Sequence, residues 1–104
     1  MPALVYVSYP RREGAKFDME YYLNTHMKIV EKHWTPFGMK DWTVVQFDDG
    51  DTSGMNAQAI MTWDSVEAFQ KAIDANIPEV MEDVKHYSPD VMPVRWYAQV
   101  KARG

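Results

Sequence analysis

The order of the predicted elements is the feature that most constrains the fold of this 104-residue chain. Four short runs rich in β-branched and aromatic residues alternate with two stretches of helical periodicity. The resulting β-α-β-β-α-β order predicts an α+β, ferredoxin-like protein, in which helices cover one face of a four-stranded antiparallel sheet. We expect strands at residues 3–9, 41–48, 56–63 and 92–100, a first helix at 19–34, and further helical stretches at 64–75 and 78–86.

Turn and capping signals support these boundaries. Pro10 closes the first strand, and Asp18 has the position of an N-cap for the first helix. Residues 48–54, DDGDTSG, predict a tight turn, so the second and third strands should form a hairpin. Asp64 and Glu67 have the spacing of a capping box at the start of the second helical stretch.

The predicted strands carry apolar side chains on both faces, whereas a sheet covered on one face normally alternates apolar and polar residues. In the first strand, Leu4 and Tyr6 lie on one face and Val5 and Val7 on the other. Helices can cover only one of these faces. We therefore expect a homodimer in which a second copy covers the other face.

Composition narrows the possible partners. The net charge of −4 argues against nucleic acid, because phosphate binding requires a basic surface. The chain has no cysteine, which excludes disulfides and thiolate chemistry.

No apolar run approaches the roughly 20 residues of a membrane helix, and the first residues lack the pattern of a signal peptide. We expect a single cytoplasmic domain, residues 1–104, without a membrane partner.

The first helix contains the residue best suited to chemistry. At about 100° per residue, His26 falls inside the apolar face of the helix, about 40° from Tyr22. As a structural core residue, its ring would bond to a backbone carbonyl or to Tyr22. Alternatively, His26 lies at the inner end of a pocket and acts as an acid or base, because its ordinary pKa is close to neutral. Tyr22 would then orient the ring or a bound ligand.

Metal binding is not expected. His26 and His33 are seven residues apart, about 10 Å along a helix, which is too far for two ligands of one ion. The 4 tryptophans, 6 tyrosines and 4 phenylalanines exceed what a small core needs, and some of them can line an apolar binding site. We expect no bound cofactor, and we expect ligand contacts from Tyr6, Tyr21, His33, Trp63 and Trp96.

The segment Phe17–Val30 (FDMEYYLNTHMKIV) resembles the first-helix signature of the EthD family. That signature has Phe-Asp, a Tyr-Tyr pair, a histidine four residues later and a short apolar stretch. The preceding strand, the DSVEAF start of the second helix and the chain length are also similar, whereas Lys28 stands where many relatives have proline. The resemblance implies a dimeric α/β barrel of two ferredoxin-like subunits. It assigns the family's histidine to His26 and its tyrosine to Tyr22, with Tyr21 beside it.

Several functions are compatible with these observations. As an enzyme, the protein would act on a small apolar or aromatic metabolite, with His26 removing a proton beside a carbonyl and Tyr22 polarising the oxygen. The resemblance implies isomerase, cyclase or oxygenase-like chemistry of this kind. As a binding or accessory protein, it would hold such a compound without converting it. A tautomerase would instead use Pro2 as the base after removal of Met1, and heme degradation would need His26 or His33 as an axial ligand.

Overall fold

The computed structural model describes residues 2–104 and contains a four-stranded antiparallel sheet. The strands are β1 (Ala3–Pro10), β2 (Met39–Gln46), β3 (Met55–Trp63) and β4 (Val94–Gln99). Their order in the sheet is β2-β3-β1-β4. The strand ends lie within two residues of the predicted ranges, and the α+β, ferredoxin-like architecture is confirmed.

The first helical region begins where the sequence predicts but is not a uniform α-helix. The Asp18 side chain accepts a hydrogen bond from the Tyr21 backbone N–H at 3.0 Å, which confirms the predicted N-cap. A π-helical turn interrupts the α-helical hydrogen bonding, so angles calculated at 100° per residue do not hold across it. The region consists of α1 (Met19–Tyr21), the π-helical segment (Tyr22–His26), α2 (Met27–Trp34) and a 3₁₀ turn (Thr35–Phe37).

The second helical region starts one residue later than the predicted capping box. Ser65 is the N-cap, and its Oγ accepts a hydrogen bond from the Ala68 N–H at 3.0 Å. The prediction of Asp64 as the cap is wrong, because its carboxylate pairs with Lys40 Nζ at 3.0 Å. The elements here are α3 (Val66–Asp74), α4 (Pro78–Met81) and a 3₁₀ turn (Asp83–His86).

The strand register determines which side chains share a face of the sheet. Tyr6 of β1 lies opposite Ile60 of β3 and Trp96 of β4, so these three side chains point the same way. Val5, the next residue, lies opposite Met61, and these two point to the other face. The helices cover the face that holds Val5, which we call the covered face; the face that holds Tyr6 is the open face.

Two groups of aromatic rings dominate the core between the covered face and the helices. The tyrosine cluster lies next to the first helical region and consists of Tyr9, Phe17, Tyr22 and Tyr87, whose ring centroids are 4.8 to 5.7 Å apart. The tryptophan cluster consists of Trp34, Trp63 and Phe69, with centroids 5.3 to 5.8 Å apart. Aliphatic residues fill the space around both clusters, among them Val5, Val7, Met27, Val30, Met61 and Val80.

The open face carries apolar side chains that no helix covers. Tyr6 and Ile60 are half-buried, and Trp96 is 52% exposed. Every residue of β4, the strand at one edge of the sheet, is exposed. The expectation of apolar residues on both faces is therefore met, and the open face is a large uncovered apolar surface.

Candidate functional site

His26 is the last residue of the π-helical segment, and its side chain points into the tyrosine cluster. The residue is only 5% exposed. Its Nδ1 lies 2.9 Å from Asp83 Oδ2, and its Nε2 lies 3.1 Å from the hydroxyl of Tyr87. Both ring nitrogens therefore have partners, and neither partner is a backbone carbonyl or Tyr22.

Asp83 brings a buried carboxylate to the histidine from a distant part of the chain. It is the first residue of the 3₁₀ turn Asp83–His86, and it is 9% exposed. Its second oxygen, Oδ1, accepts a hydrogen bond from the Tyr21 hydroxyl at 2.7 Å. A buried carboxylate is unfavourable without such partners, and here each oxygen has one.

Tyr87 extends the network towards the sheet. Its hydroxyl lies 2.5 Å from the hydroxyl of Tyr9, which is on β1. The Tyr22 ring stacks against His26, with centroids 5.5 Å apart and planes 15° apart. A continuous chain of hydrogen bonds thus runs from Tyr21 through Asp83, His26 and Tyr87 to Tyr9.

The electrostatics of this network favour a neutral histidine. Burial lowers the pKa of His26, and this effect outweighs the hydrogen bond and the charge of Asp83, which raise it. Neutral imidazole has one N–H, which we assign to Nδ1 because that atom faces the carboxylate. Nε2 then accepts a hydrogen bond from Tyr87, whose oxygen accepts one from Tyr9.

The tyrosine hydroxyls of the network keep their protons. Burial raises the pKa of Tyr9, Tyr22 and Tyr87, and the hydrogen bond to Asp83 raises the pKa of Tyr21. Two groups act on Tyr9 in the opposite direction: the Tyr22 hydroxyl and the charge of Arg95 each lower its pKa. Burial is the largest effect on Tyr9, and Tyr87 also raises its pKa, so the Tyr9 hydroxyl stays neutral despite these two opposing influences.

An apolar cavity of about 80 Å³ adjoins the network, between the first helical region, α4 and the covered face. For comparison, an engineered apolar cavity of about 150 Å³ holds benzene. Methionines form part of the wall, and their flexible side chains can adapt to a larger molecule. The lining includes Val7, Tyr9, Tyr22, His26, Met27, Val30, Trp34, Met61, Met81, Tyr87, Met92 and Arg95.

Arg95 is the cation of this cavity. It lies opposite Val7 in the register and therefore on the covered face. Its guanidinium forms no ion pair with any of residues 2–104. An unpaired guanidinium beside an apolar cavity is well suited to an oxygen that carries or develops negative charge.

A second cavity of about 310 Å³, which we call the polar cavity because charged residues form part of its wall, also borders Tyr9. Its walls include the loop after β1, with Arg12 and Lys16, together with Asn56. Within the described part of the chain, Tyr9 is the only member of the hydrogen-bonded network that lines both cavities. Tyr9 therefore borders both the polar and the apolar cavity.

The predicted site residues fall into three groups. His26 and Tyr22 line the apolar cavity. Tyr21 does not line this cavity, but its hydroxyl joins the network through a hydrogen bond to Asp83. The remaining four, Tyr6, His33, Trp63 and Trp96, do not line the cavity.

Each of these four has a physical reason for its position. Tyr6 and Trp96 lie on the open face because the strand register places them opposite each other. His33 lies beyond the cavity, where its Nε2 is 3.2 Å from the Glu79 carboxylate. Trp63 is fully buried in the tryptophan cluster. Sequence reasoning counted aromatic residues and could not distinguish these surroundings.

Asp83, Tyr87 and Tyr9 are the residues that sequence reasoning missed. Asp83 begins a 3₁₀ turn and Tyr87 follows it, in a segment without a helical period that would mark a buried side. The partnership with His26 also gives no local signal, because it joins residues 57 and 61 positions apart.

Residues 2–104 give less support to a metal site or to a tautomerase that uses Pro2. No group of three or more His, Cys, Asp or Glu side chains could hold a metal ion there. Pro2 is exposed, does not line the apolar cavity, and accepts a backbone hydrogen bond from Val100 at 3.0 Å. None of the helices in this range is long and apolar enough to span a membrane.

The fold defines the class of the protein: a ferredoxin-like α+β protein, here with a buried histidine network beside its first helical region. A solved structure confirms the resemblance to the EthD family, and a second one shares the fold. The chain is similar to an EthD-like protein from Ralstonia eutropha JMP134, with 29% identity, 99% of this chain and 95% of that chain covered, and a TM-score of 0.86. An EthD family protein from Bacillus halodurans C-125 shares the fold, with 20% identity, 96% and 99% covered, and a TM-score of 0.66.

A further solved structure extends the likeness of fold. A dimeric ferredoxin-like protein from an uncultured marine organism matches with 10% identity, 100% of both chains covered and a TM-score of 0.66. No protein-family model and no curated protein matches the chain.

Proposed function

We propose that this protein binds a small, largely apolar molecule in the cavity beside His26 and exchanges a proton with it without a bound cofactor. The observation that carries the proposal is the Asp83–His26–Tyr87 chain, which adjoins an apolar cavity. An apolar pocket with a few convergent polar groups and a perturbed titratable residue is the usual form of a small-molecule site.

The chemistry of the chain supports acid–base work. Asp83 fixes the ring orientation and tautomer of His26, so that Nε2 is the basic atom. When that nitrogen takes up a proton, the adjacent carboxylate stabilises the imidazolium. The unpaired guanidinium of Arg95 supports a ligand with a carbonyl or hydroxyl oxygen that becomes negative as the proton leaves.

A non-catalytic binding protein is the second candidate, and one observation favours it. Both nitrogens of His26 already have partners, and burial raises the pKa of the tyrosines around it. In that case the network would hold the cavity in shape and recognise the ligand. His26 would then affect affinity but would support no turnover.

We also propose that the protein is a homodimer joined through the open faces of two sheets. The uncovered apolar surface around Tyr6 and Trp96 supports this assembly, and the marine ferredoxin-like protein is a dimer. Trp96→Ser should weaken the dimer in analytical ultracentrifugation. Tyr97→Ser is the matched control, because Tyr97 is 50% exposed on the covered face of the same strand. A monomeric wild type would contradict the assembly.

Binding is tested with a thermal-shift panel of single-ring phenols, quinones, lactones and small ethers. A bound compound should raise the melting temperature of the wild type by mass action, and His26→Asn should lose that response. His33→Asn is the control, because His33 is on the same helical region but outside the cavity. If no compound shifts the wild type, the binding proposal is wrong.

Turnover is tested with 3-cyclohexenone, whose protons between the carbonyl and the double bond are acidic. Their removal and return at the far carbon give 2-cyclohexenone, whose conjugation increases ultraviolet absorbance. We expect the wild type to accelerate this conversion, and His26→Asn to abolish the acceleration. Binding without conversion would favour the second candidate.

A further inference from the structure

We infer that the proton passes between the ligand and His26 through Tyr87 and Tyr9, so that Tyr9 is the residue that meets the ligand. The inference rests on the proposed function and specifies how the site would operate. It also changes the role of His26, which receives the proton through the two tyrosines and does not contact the ligand.

The first argument is the occupancy of the ring nitrogens. Nδ1 is held by Asp83 and Nε2 by Tyr87, at 2.9 and 3.1 Å. A ligand could touch a nitrogen of His26 only after one of these buried hydrogen bonds had broken. A buried polar group that loses its partner is costly, so a route that keeps both bonds is favoured.

The second argument is the position of Tyr9 at the end of the chain. Its hydroxyl is hydrogen-bonded to Tyr87 at 2.5 Å, and its side chain lines both the apolar and the polar cavity. A ligand can approach from the apolar side. The polar cavity borders the same residue.

The third argument is the surroundings of the Tyr9 oxygen. Burial and the neighbouring Tyr87 raise the pKa of Tyr9, whereas the Tyr22 hydroxyl and the charge of Arg95 partly offset this rise. Tyr22 would therefore assist Tyr9 as well as stack on His26. The charges facing the network are the carboxylate of Asp83 at one end and the guanidinium of Arg95 at the other.

The transfer balances without any other reactant. A C–H bond next to the ligand carbonyl breaks, and its proton goes to Tyr9 Oη. The former Tyr9 proton moves to Tyr87 Oη, and the Tyr87 proton moves to His26 Nε2. The ligand keeps the electron pair as an enolate, whose oxygen faces Arg95, and the new imidazolium faces Asp83. Each tyrosine remains neutral, and the reverse sequence returns the proton.

The first test is the titration of His26 by NMR in the wild type and in Tyr9→Phe. Imidazolium donates through Nε2–H to Tyr87, whose own O–H must then turn to Tyr9. Phenylalanine offers no acceptor, so Tyr9→Phe should destabilise the charged ring and lower the titration midpoint of His26. Tyr6→Phe, on the open face of the same strand, should leave it unchanged. An unchanged midpoint in folded Tyr9→Phe would overturn the relay.

The second test is the conversion of 3-cyclohexenone. Tyr9→Phe and Tyr87→Phe should each slow it by about a hundredfold or more, while the thermal shift with the same compound persists. A wild-type rate in Tyr9→Phe, combined with no activity in His26→Asn, would overturn the relay but leave the proposed function standing. If the wild type converts nothing, the proposed turnover fails, and the titration still decides whether Tyr9 is coupled to His26.

Discussion

The tyrosine cluster and the tryptophan cluster are both buried groups of aromatic rings on the covered face, yet they differ in their polar atoms. Hydroxyls of the tyrosine cluster join a chain that includes His26 and Asp83. In the tryptophan cluster, the indole nitrogens of Trp34 and Trp63 are buried and have no hydrogen-bond partner among residues 2–104. One cluster therefore combines packing with proton-transferring groups, and the other contributes packing alone.

The comparison shows that aromatic content is a poor guide to a binding site. The sequence predicts a ligand contact for Trp63, but its ring packs against Trp34 and Phe69. Trp34 contributes to both regions, since it also lines the apolar cavity. The distinguishing properties are a cavity and a titratable group, and neither can be read from a count of rings.

The largest expected effect tests the tryptophan cluster. Trp63→Ala should lower the free energy of unfolding by about 3–5 kcal/mol, because it removes a fully buried ring and leaves a cavity. Trp63→Phe should cost less, since it keeps a ring and the indole N–H has no hydrogen bond to lose. Urea denaturation measures both. A loss below about 1 kcal/mol for Trp63→Ala would contradict a purely packing role.

A smaller effect is expected at the carboxylate of the network. Asp83→Asn should lower the free energy of unfolding by about 1–3 kcal/mol, because buried hydrogen bonds to a charged group become weaker. It should also lower the pKa of His26 further, since the opposing influence of Asp83 is removed. Denaturation and NMR titration test the two effects. Asp64→Asn, at an exposed ion pair, is the control and should change little.

The stability contributed by the network around the tyrosine cluster should depend on pH, because it includes His26, whereas the tryptophan cluster has no titratable side chain. Because the pKa of His26 in the folded protein lies below the unfolded value of about 6.5, the unfolded chain takes up this proton first as the pH falls. The contribution is present above about pH 6.5 and is lost as the pH falls through the folded pKa. Urea denaturation at pH 7.5 and 5.5 should show a steeper loss in the wild type than in His26→Gln. Equal losses would contradict a lowered pKa.

The smallest effect is expected at the outer end of the network. Tyr21→Phe removes the hydrogen bond to Asp83 but keeps the half-buried ring, so we expect a loss of about 1 kcal/mol or less. Tyr6→Phe is the comparison, since it removes a hydroxyl from the open face. If denaturation shows a larger loss of unfolding free energy for Tyr6→Phe than for Tyr21→Phe, the hydrogen bond from Tyr21 to Asp83 contributes little to stability.

Most of the fold could be predicted because its signals are local. Asp18 caps the first helical region as expected, and residues 48–54 connect β2 to β3. The order of the elements then leaves few possible topologies. The capping error at Asp64 has the same local character, since Ser65 is an equally suitable cap and lies next to it.

The site could be predicted only in part, because its partners come from separate elements. His26 and Tyr22 stand out on one helical face. Asp83 begins a short 3₁₀ turn and Tyr87 follows it, and no periodicity marks a buried side there. Pairings of this kind depend on how the second helical region packs on the first, and a sequence pattern does not contain that information.

The π-helical segment Tyr22–His26 also has a consequence for aligning this chain with its relatives. A π-helical turn holds one more residue than an α-helical turn. An alignment that assumes an uninterrupted helix will therefore be shifted by one residue on one side of this segment. A relative without the extra residue would have the tyrosine pair rotated by about 100° relative to its histidine. A shared histidine in such a relative would then not imply the same neighbouring side chains. A single gap in the alignment at this position would show which relatives lack the π-helical turn.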